Sequence, residues 1–391
     1  MTYKGYIRMH YSEVFSKIDS LYDTYVQVWE DVCNLESPTA FKAGVDAVSA
    51  YFIRMAEERG WSVEIREQAE AGNAVCITMN PDAPGRSVCI SGHIDTVHAV
   101  GSFGTPAVRR DAEKIYGPGV CDCKGGVVMG FLAMDALHRC GFRDRPIHLL
   151  LQTDEEVGSS LSKKGTIRYM CEKAKDSVAF LNLEGSEPGK ICLIRKGIST
   201  FTFTVTGQEA HAAQCASAGA NAILEAAHKI IELEKIKDKD GLTCCCSVIS
   251  GGTLPNVVPG QCTFKANVRF ATSEQLEWMR NYTKELAAQV FVPGCTTEVN
   301  TPGCRVAMEY CERNMQLLEN MNDIWEKCGF SRCVMAKRVG GSDAADVTAA
   351  GIPCVDNMGA WGSKIHTQNE FAYLSSLGEA TKRIASALMY L

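Results

Sequence analysis

Apolar positions recur at helical spacing from residue 12 to 59, and the stretch AGVDAVSAYFIRMAEERG closes on Gly60, a helix stop. Short β-rich runs follow: WSVEI, AVCITM and SVCISG. GGVVMGFLAMDALHRCG, opened and closed by glycine, reads as a buried helix. PIHLLLQT and SVAFLNLEG are continuous apolar runs, the pattern of strands covered on both faces of a parallel sheet. This alternation of helix and strand predicts an α/β sheet.

From about residue 197 the period changes. ISTFTFTVTG alternates polar and apolar residues, as a half-exposed antiparallel strand does. The helix GANAILEAAHKIIELEKIK follows, then strands CCCSVISGG and QCTFKANVRF, then the helix SEQLEWMRNYTKELAAQV. That β-α-β-β-α-β order is ferredoxin-like. After about residue 305 the α/β pattern resumes with NMQLLENMNDIWEKCG and IPCVDNMG. The fold expected is therefore α/β, with a mostly parallel mixed sheet built from residues 1–196 and 306–391. A smaller α+β domain at 197–305 interrupts it.

Composition narrows the partners. Charged residues make up 22% of the 391 and apolar ones 46%, ordinary for a globular chain. Net charge is −6 and no Lys/Arg-rich run stands out, which argues against nucleic acid or an anionic membrane as partner. The N-terminal MTYKGYIRMHYSEVFSKIDSLY lacks the apolar core of a signal peptide, and no later run has the length of a membrane span. A cytoplasmic protein is expected. The 19 cysteines are odd in number, scattered, and include the run Cys244-Cys245-Cys246, unlike a secreted disulfide framework. They read as reduced, small, space-filling residues.

The chemistry sits at strand ends. VCISG leads to His93 and Asp95, IHLLLQTD to Glu155 and Glu156, and VAFLNLEG to Glu184. IPCVDNMGAWGSKIH leads through a glycine-rich loop to His366, and Asp122 lies in GPGVCDCKGG, before the buried helix. Ligands of open α/β sheets bind beyond the carboxyl ends of the strands. So many charges converging there need cations. Two imidazoles and three carboxylates suit zinc, and shared between two ions one carboxylate must bridge. His93 and Asp95, two apart, face the same way, so Asp95 is expected to hold the outer imidazole N–H. In a loop the neighbouring glutamates can both turn inward, one to a metal and one to the water.

Eight motifs, GHIDTV, GPGVCDCKGG, TDEEVGS, LEG, TGQEAHAA, GGTLPNVVP, GGSDAAD and HTQNE, stand in an order that resembles the M20 family of di-zinc metallopeptidases and deacylases. Within it the chain is most similar to the glutamate carboxypeptidase, carboxypeptidase G2-like, branch. The resemblance implies that Asp122 bridges two zinc ions, one also held by His93 and Glu184, the other by Glu156 and His366. Co2+ or Mn2+ would fit the same donors. Glu155 would be the general base. A cis peptide is implied at Asp122–Cys123. The 197–305 insertion would be a lid and dimerisation domain, making a homodimer. His211 would stabilise the oxyanion in the partner subunit's site. Asn256 and Arg269 would contact the substrate, Arg269 at a free carboxylate, and the backbone of Gly341 and Ser342 would cradle that carboxylate.

In that family Glu at the place of Glu184 goes with carboxypeptidases and deacylases, and Asp with aminopeptidases and dipeptidases. The resemblance therefore implies a small peptide or N-acyl amino acid with a blocked nitrogen and a free α-carboxylate. Leading candidates end in glutamate. An N-acyl-amino-acid deacylase, a di- or tripeptidase and a catalytically silent carboxylate-binding relative are the alternatives, the last disfavoured because Glu155 is retained. Cys121 and Cys123 are read as packing rather than ligating. Arg195 and Lys196 stand near a position that touches substrate in the family resembled, Glu370 beside the implied ligands, and Asp343 and Asp346 read as structural. Asn267 stands where relatives often carry Asp, which bears on the support of Arg269. His98, His138, His148 and His228 have no motif around them and read as surface or core residues.

Overall fold

The computed structural model describes residues 10–300 and 303–391 and divides the chain into two compact units. Part of the N-terminal stretch read for a signal sequence, residues 1–9, lies outside the described residues. Unit one comprises residues up to Leu193 with Tyr310–Lys337 and Ser342–Leu391; unit two comprises Ile194–Glu309 and Arg338–Gly341. The second unit thus extends a few residues past 197–305 at each end and takes in a short later segment.

Unit one is built on a mixed sheet of six strands, in the order Ser62–Arg66, Ala74–Met79, Ile147–Gln152, Val88–His93, Ala179–Asn182, Cys354–Val355. The last four run parallel to one another, and the first two pair antiparallel. Every residue of Val88–His93 is buried, the consequence of a central position covered on both faces. Helix Lys124–Arg139 is buried along almost its whole length and packs on helices Tyr11–Asn34 and Ser375–Tyr390. The helical spacing of residues 12 to 59 resolves into two helices, Tyr11–Asn34 and Lys42–Glu57. Pro38 lies in the break, where it cannot donate to a helix and restricts the residue before it. Gly60 stops the second helix with a left-handed φ of 70°.

Unit two is a four-stranded antiparallel sheet in the order Thr243–Gly251, Gln261–Phe270, Gly197–Thr206, Thr296–Asn300, with helices Ala222–Leu233 and Ser273–Ala288. Counted along the chain the order is second, third, first, fourth, which is the split βαβ arrangement. Gly197–Thr206 alternates buried and half-buried residues, and its Phe203 stacks on Phe264 at 4.6 Å between ring centroids. Thr272 and Gln275 close a reciprocal cap on helix Ser273–Ala288. No described helix is long and apolar enough to cross a membrane.

Candidate active site

Strands Ile147–Gln152, Val88–His93 and Ala179–Asn182 are parallel neighbours, so their carboxyl ends lie side by side. His93 is the last residue of the central strand, and its Nδ1 is 2.9 Å from the backbone carbonyl of Asp95. Its Nε2 faces Asp122 Oδ1 at 3.0 Å and Glu184 Oε1 at 3.9 Å. Asp122 Oδ2 meets His366 Nε2 at 3.1 Å, and that nitrogen lies 3.2 Å from Glu156 Oε2. Each oxygen of one carboxylate therefore faces a different imidazole. The Asp122–Cys123 peptide is cis.

The structure reassigns part of the role expected of Asp95. The His93 N–H goes to its backbone carbonyl, while the nearer carboxylate oxygen is 3.5 Å away. That carboxylate is fully buried and accepts Thr39 Oγ1–H at 2.7 Å and the backbone N–H of Glu155 and Glu156, each at 3.2 Å. It fixes the short helical turn Glu155–Val157 that presents both glutamates. Gly158 and Ser159 follow with left-handed φ of 64° and 57°, reversing the chain at once. On the other side of the site, a Cβ on Gly126 would stand 1.9 Å from the Leu183 carbonyl, and one on Gly359 2.0 Å from the same oxygen. Their bare backbones let the helix start and the later loop close on the residue before Glu184.

Electrostatics follows from this crowding. Burial alone would depress His93, but the carboxylates of Asp122 and Asp95 hold it well above its ordinary value. Hydrogen bonds to Asp122 and then Glu156 raise His366 to about 10. Burial, with Asp122 and Glu155 as like charges, raises Glu156 to about 7. Burial works against ionisation of Asp122, yet its bonds to His366 and His93 keep it well below the carboxylate range. The cluster thus draws positive charge to its centre. Imidazole nitrogens and carboxylate oxygens suit a divalent cation such as zinc, and a carboxylate turned to two imidazoles suits a pair. The donor atoms of His93, Asp122 and Glu156 lie within 4.8 Å of one another, as do those of His93, Cys123 and Glu184.

Cys123 is turned to the backbone of His93. Its Sγ accepts the His93 N–H at 3.1 Å and lies 3.5 Å from the His93 carbonyl, and burial pushes the thiol up, away from thiolate. Cys121 is likewise buried, with its thiol raised by burial and by Glu370. Glu370 accepts the backbone N–H of Cys121 and Asp122 at 2.9 and 3.0 Å. Ser342 Oγ, fully buried, donates to Asp356 at 2.8 Å and caps helix Asp343–Ala349.

Unit two carries His211, Asn256, Arg269 and Gly341. His211 and Asn256 are exposed and adjacent: the Asn256 carbonyl accepts Ala212 N–H at 2.9 Å, and His211 Nδ1 accepts Ala213 N–H at 3.1 Å. Arg269 donates from Nε to Asn267 Oδ1 at 3.1 Å, so Asn267 steadies the guanidinium as a neutral acceptor. Burial and then the nearby cation Arg305 lower the Arg269 pKa. The Arg305 stem packs on Gly341, where a Cβ would stand 2.1 Å from its Cδ. Arg195 donates to the carbonyls of Gly340 and Gly341, and Lys196 to that of Lys239. Sequence reasoning missed Thr39 and Arg305 and read His98, which meets Glu370 Oε2 at 3.1 Å, as a surface or core residue; no motif surrounds them, and the residues they touch are distant in the chain.

The model of peptidase family M20/M25/M40 matches residues 89–390. Carboxypeptidase G2 of Pseudomonas sp. (strain RS-16) is 26% identical over 372 residues, 93% of this chain and 88% of that one. Succinyl-diaminopimelate desuccinylase of Nitrosospira multiformis is 28% identical over 270 residues, 62% of this chain and 67% of that one. Among solved structures, aminopeptidase PepT from Bacillus cereus superposes with a TM-score of 0.78 at 21% identity, covering 94% of this chain and 98% of its own. The matched span takes in all five converging donors and both neighbouring glutamates, and on that footing the chain belongs to peptidase family M20/M25/M40, a hydrolytic enzyme of the peptidase and deacylase type.

Proposed function

We propose that this enzyme hydrolyses a peptide or amide bond adjacent to a free carboxylate, in the manner of a glutamate carboxypeptidase. The observation that carries the reading is Asp122, each of whose oxygens faces a different imidazole amid two further carboxylates. His93, Asp122 and Glu184 would hold one zinc ion, and Asp122, Glu156 and His366 another, with Co2+ or Mn2+ as alternatives. Such ions, when bound, supply an activated water and Lewis-acid stabilisation of developing negative charge.

The chain's own groups do the rest. Glu155, buried and set by its N–H bond to Asp95, takes the attacking water's proton and passes it to the leaving nitrogen. Asp95 orients His93 and the Glu155-Glu156 turn. His211 donates to the oxyanion of the tetrahedral intermediate. Arg269 grips the substrate carboxylate, with the backbone at Gly341 and Ser342 as its cradle, and Asn256 contacts the substrate beside it. The resemblance to carboxypeptidase G2 favours a C-terminal glutamate. The desuccinylase relative keeps an N-acyl-amino-acid deacylase as the second reading.

A homodimer through unit two belongs to the same reading. Strand Thr243–Gly251 is an edge of its sheet, and Val248, Ile249, Ile223, Leu224 and Ile231 are exposed there and on helix Ala222–Leu233. A reducing, cytoplasmic setting belongs to the same reading, since the 19 cysteines are odd in number and scattered along the chain.

The test is amine release by zinc-loaded enzyme from matched N-acyl-glutamates and dipeptides, each with the α-carboxylate free or amidated. Chelator-sensitive turnover of N-blocked, free-carboxylate compounds alone is expected. Turnover of free-amine dipeptides alone would move the enzyme to the dipeptidases.

A further inference from the structure

Glu370 holds its carboxylate almost fully buried against the loop that carries Asp122. Oε1 accepts the N–H of Cys121 at 2.9 Å and of Asp122 at 3.0 Å, and Oε2 that of Gly119 at 3.3 Å. His98 Nε2 meets the same Oε2 at 3.1 Å. The imidazole arrives from a chain segment remote from both the loop and Glu370. Its side chain is only 9% exposed, and its ring meets Phe103 edge-on at 4.8 Å.

That segment is pinned. Thr96 N–H donates to the Ser37 carbonyl, Thr39 N–H to the Thr96 carbonyl, and Gly101 N–H to the Glu36 carboxylate. It is thereby anchored to residues 36–39, where Thr39 also donates to Asp95. His98 presses on Glu370 from a fixed base. A carboxylate that receives N–H bonds at both oxygens, from the loop and from an imidazole on a separate segment, has little freedom to turn, and the amides it receives are fixed with it.

We infer that His98 is a positioning residue for Asp122: by clamping Glu370 against the amides of Cys121 and Asp122, it sets the angle at which the Asp122 carboxylate lies between His93 and His366. The inference rests on the proposed role of Asp122 as the shared metal ligand. His98 touches neither substrate nor metal in this scheme.

Two variants test it. His98→Phe keeps a ring for Phe103 and removes the N–H; His98→Gln returns an N–H at similar reach. Hydrogen exchange at the amides of Cys121 and Asp122 is measured on metal-free protein, zinc affinity by competition with a chromophoric chelator, and kcat and KM on the zinc-loaded enzyme. In His98→Phe the amides should exchange about tenfold faster, zinc should bind about 10–100-fold more weakly, and kcat should fall with KM within about twofold. His98→Gln should recover most of each. Exchange and zinc affinity in His98→Phe within about twofold of wild type would overturn the inference, as would a His98→Gln protein no better than His98→Phe. A wild-type protein that takes up no zinc would remove the metal reading itself, and this inference with it. Normal uptake by both wild type and His98→Phe would remove this inference alone.

Discussion

Three carboxylates and two imidazoles in one crevice make the site's behaviour a matter of single groups. Glu155→Gln keeps size and the backbone N–H bond to Asp95 but cannot take a proton. Its kcat should fall about 10²–10⁴-fold while zinc content, measured by atomic absorption, stays at the wild-type level. Zinc lost along with activity would mean that Glu155 is a ligand instead. Thr39→Val removes one O–H from the buried Asp95 carboxylate and leaves the volume. A drop of about 10-fold in zinc affinity is expected, read by chelator competition; no change would leave Asp95 held by its backbone bonds alone. The proposed metal donors His93, Glu156 and Glu184 are legible in the sequence because their residue types are costly at or just past the ends of apolar strands. Asp122 and His366 stand in glycine-rich loops and are picked out by the motifs around them. Thr39 is not. A hydroxyl in a loop carries no such signal, and its partner lies 56 residues away.

At the scale of elements, helix Lys124–Arg139 starts at the site and must be held in place along its length. Asp135, fully buried in it, receives Tyr25 Oη–H at 2.8 Å, Arg59 Nε–H at 2.8 Å and Arg139 Nε–H at 2.9 Å. Three elements are thereby tied: helix Tyr11–Asn34, the end of helix Lys42–Glu57, and Lys124–Arg139 itself. Asp135→Ala leaves Arg59 without its buried carboxylate and should cost about 3–5 kcal/mol in urea unfolding. The pH dependence has a definite sign. Burial opposes ionisation of Asp135, but Arg59 and Arg139 outweigh it and lower the pKa. The stabilisation is therefore complete above the unfolded value of about 3.9 and is lost as pH falls through the lower folded one. Wild type and Asp135→Asn should differ most near neutrality and converge in acid. A gap that stays constant down to about pH 2 would assign the effect to packing. The helix was legible from its apolar run and flanking glycines. The tie was not, because an aspartate in an apolar stretch says nothing about which arginine finds it.

For the molecule as a whole, the β-α-β-β-α-β insertion between the two parts of an α/β domain was legible because the switch from continuous to alternating apolar runs is strong. The segment Arg338–Gly341, which groups with unit two, was invisible because four residues ending in a pair of glycines have no period. The exposed edge of that unit calls for a partner. Strand Thr243–Gly251 is exposed from Cys245 onward apart from half-buried Cys246, and Val248 and Ile249 are both more than half exposed. Ile223 of helix Ala222–Leu233 reaches the Gly252 end of that strand. An apolar, unpaired edge invites strand addition, and proteins usually cover or charge such edges. A second copy paired edge to edge would cover it symmetrically. Sedimentation equilibrium should therefore give a dimer for the wild type. The double variant Val248→Lys, Ile249→Lys should be a monomer with an unchanged far-ultraviolet spectrum and unchanged zinc content, since the proposed metal donors all lie in unit one. Its kcat should also fall about 10²–10³-fold if His211 serves the partner subunit, the range lost with one oxyanion donor. A monomeric variant with full activity would keep the dimer and withdraw His211 from catalysis across it. A wild type that remains monomeric at every concentration would leave this edge without the partner proposed for it.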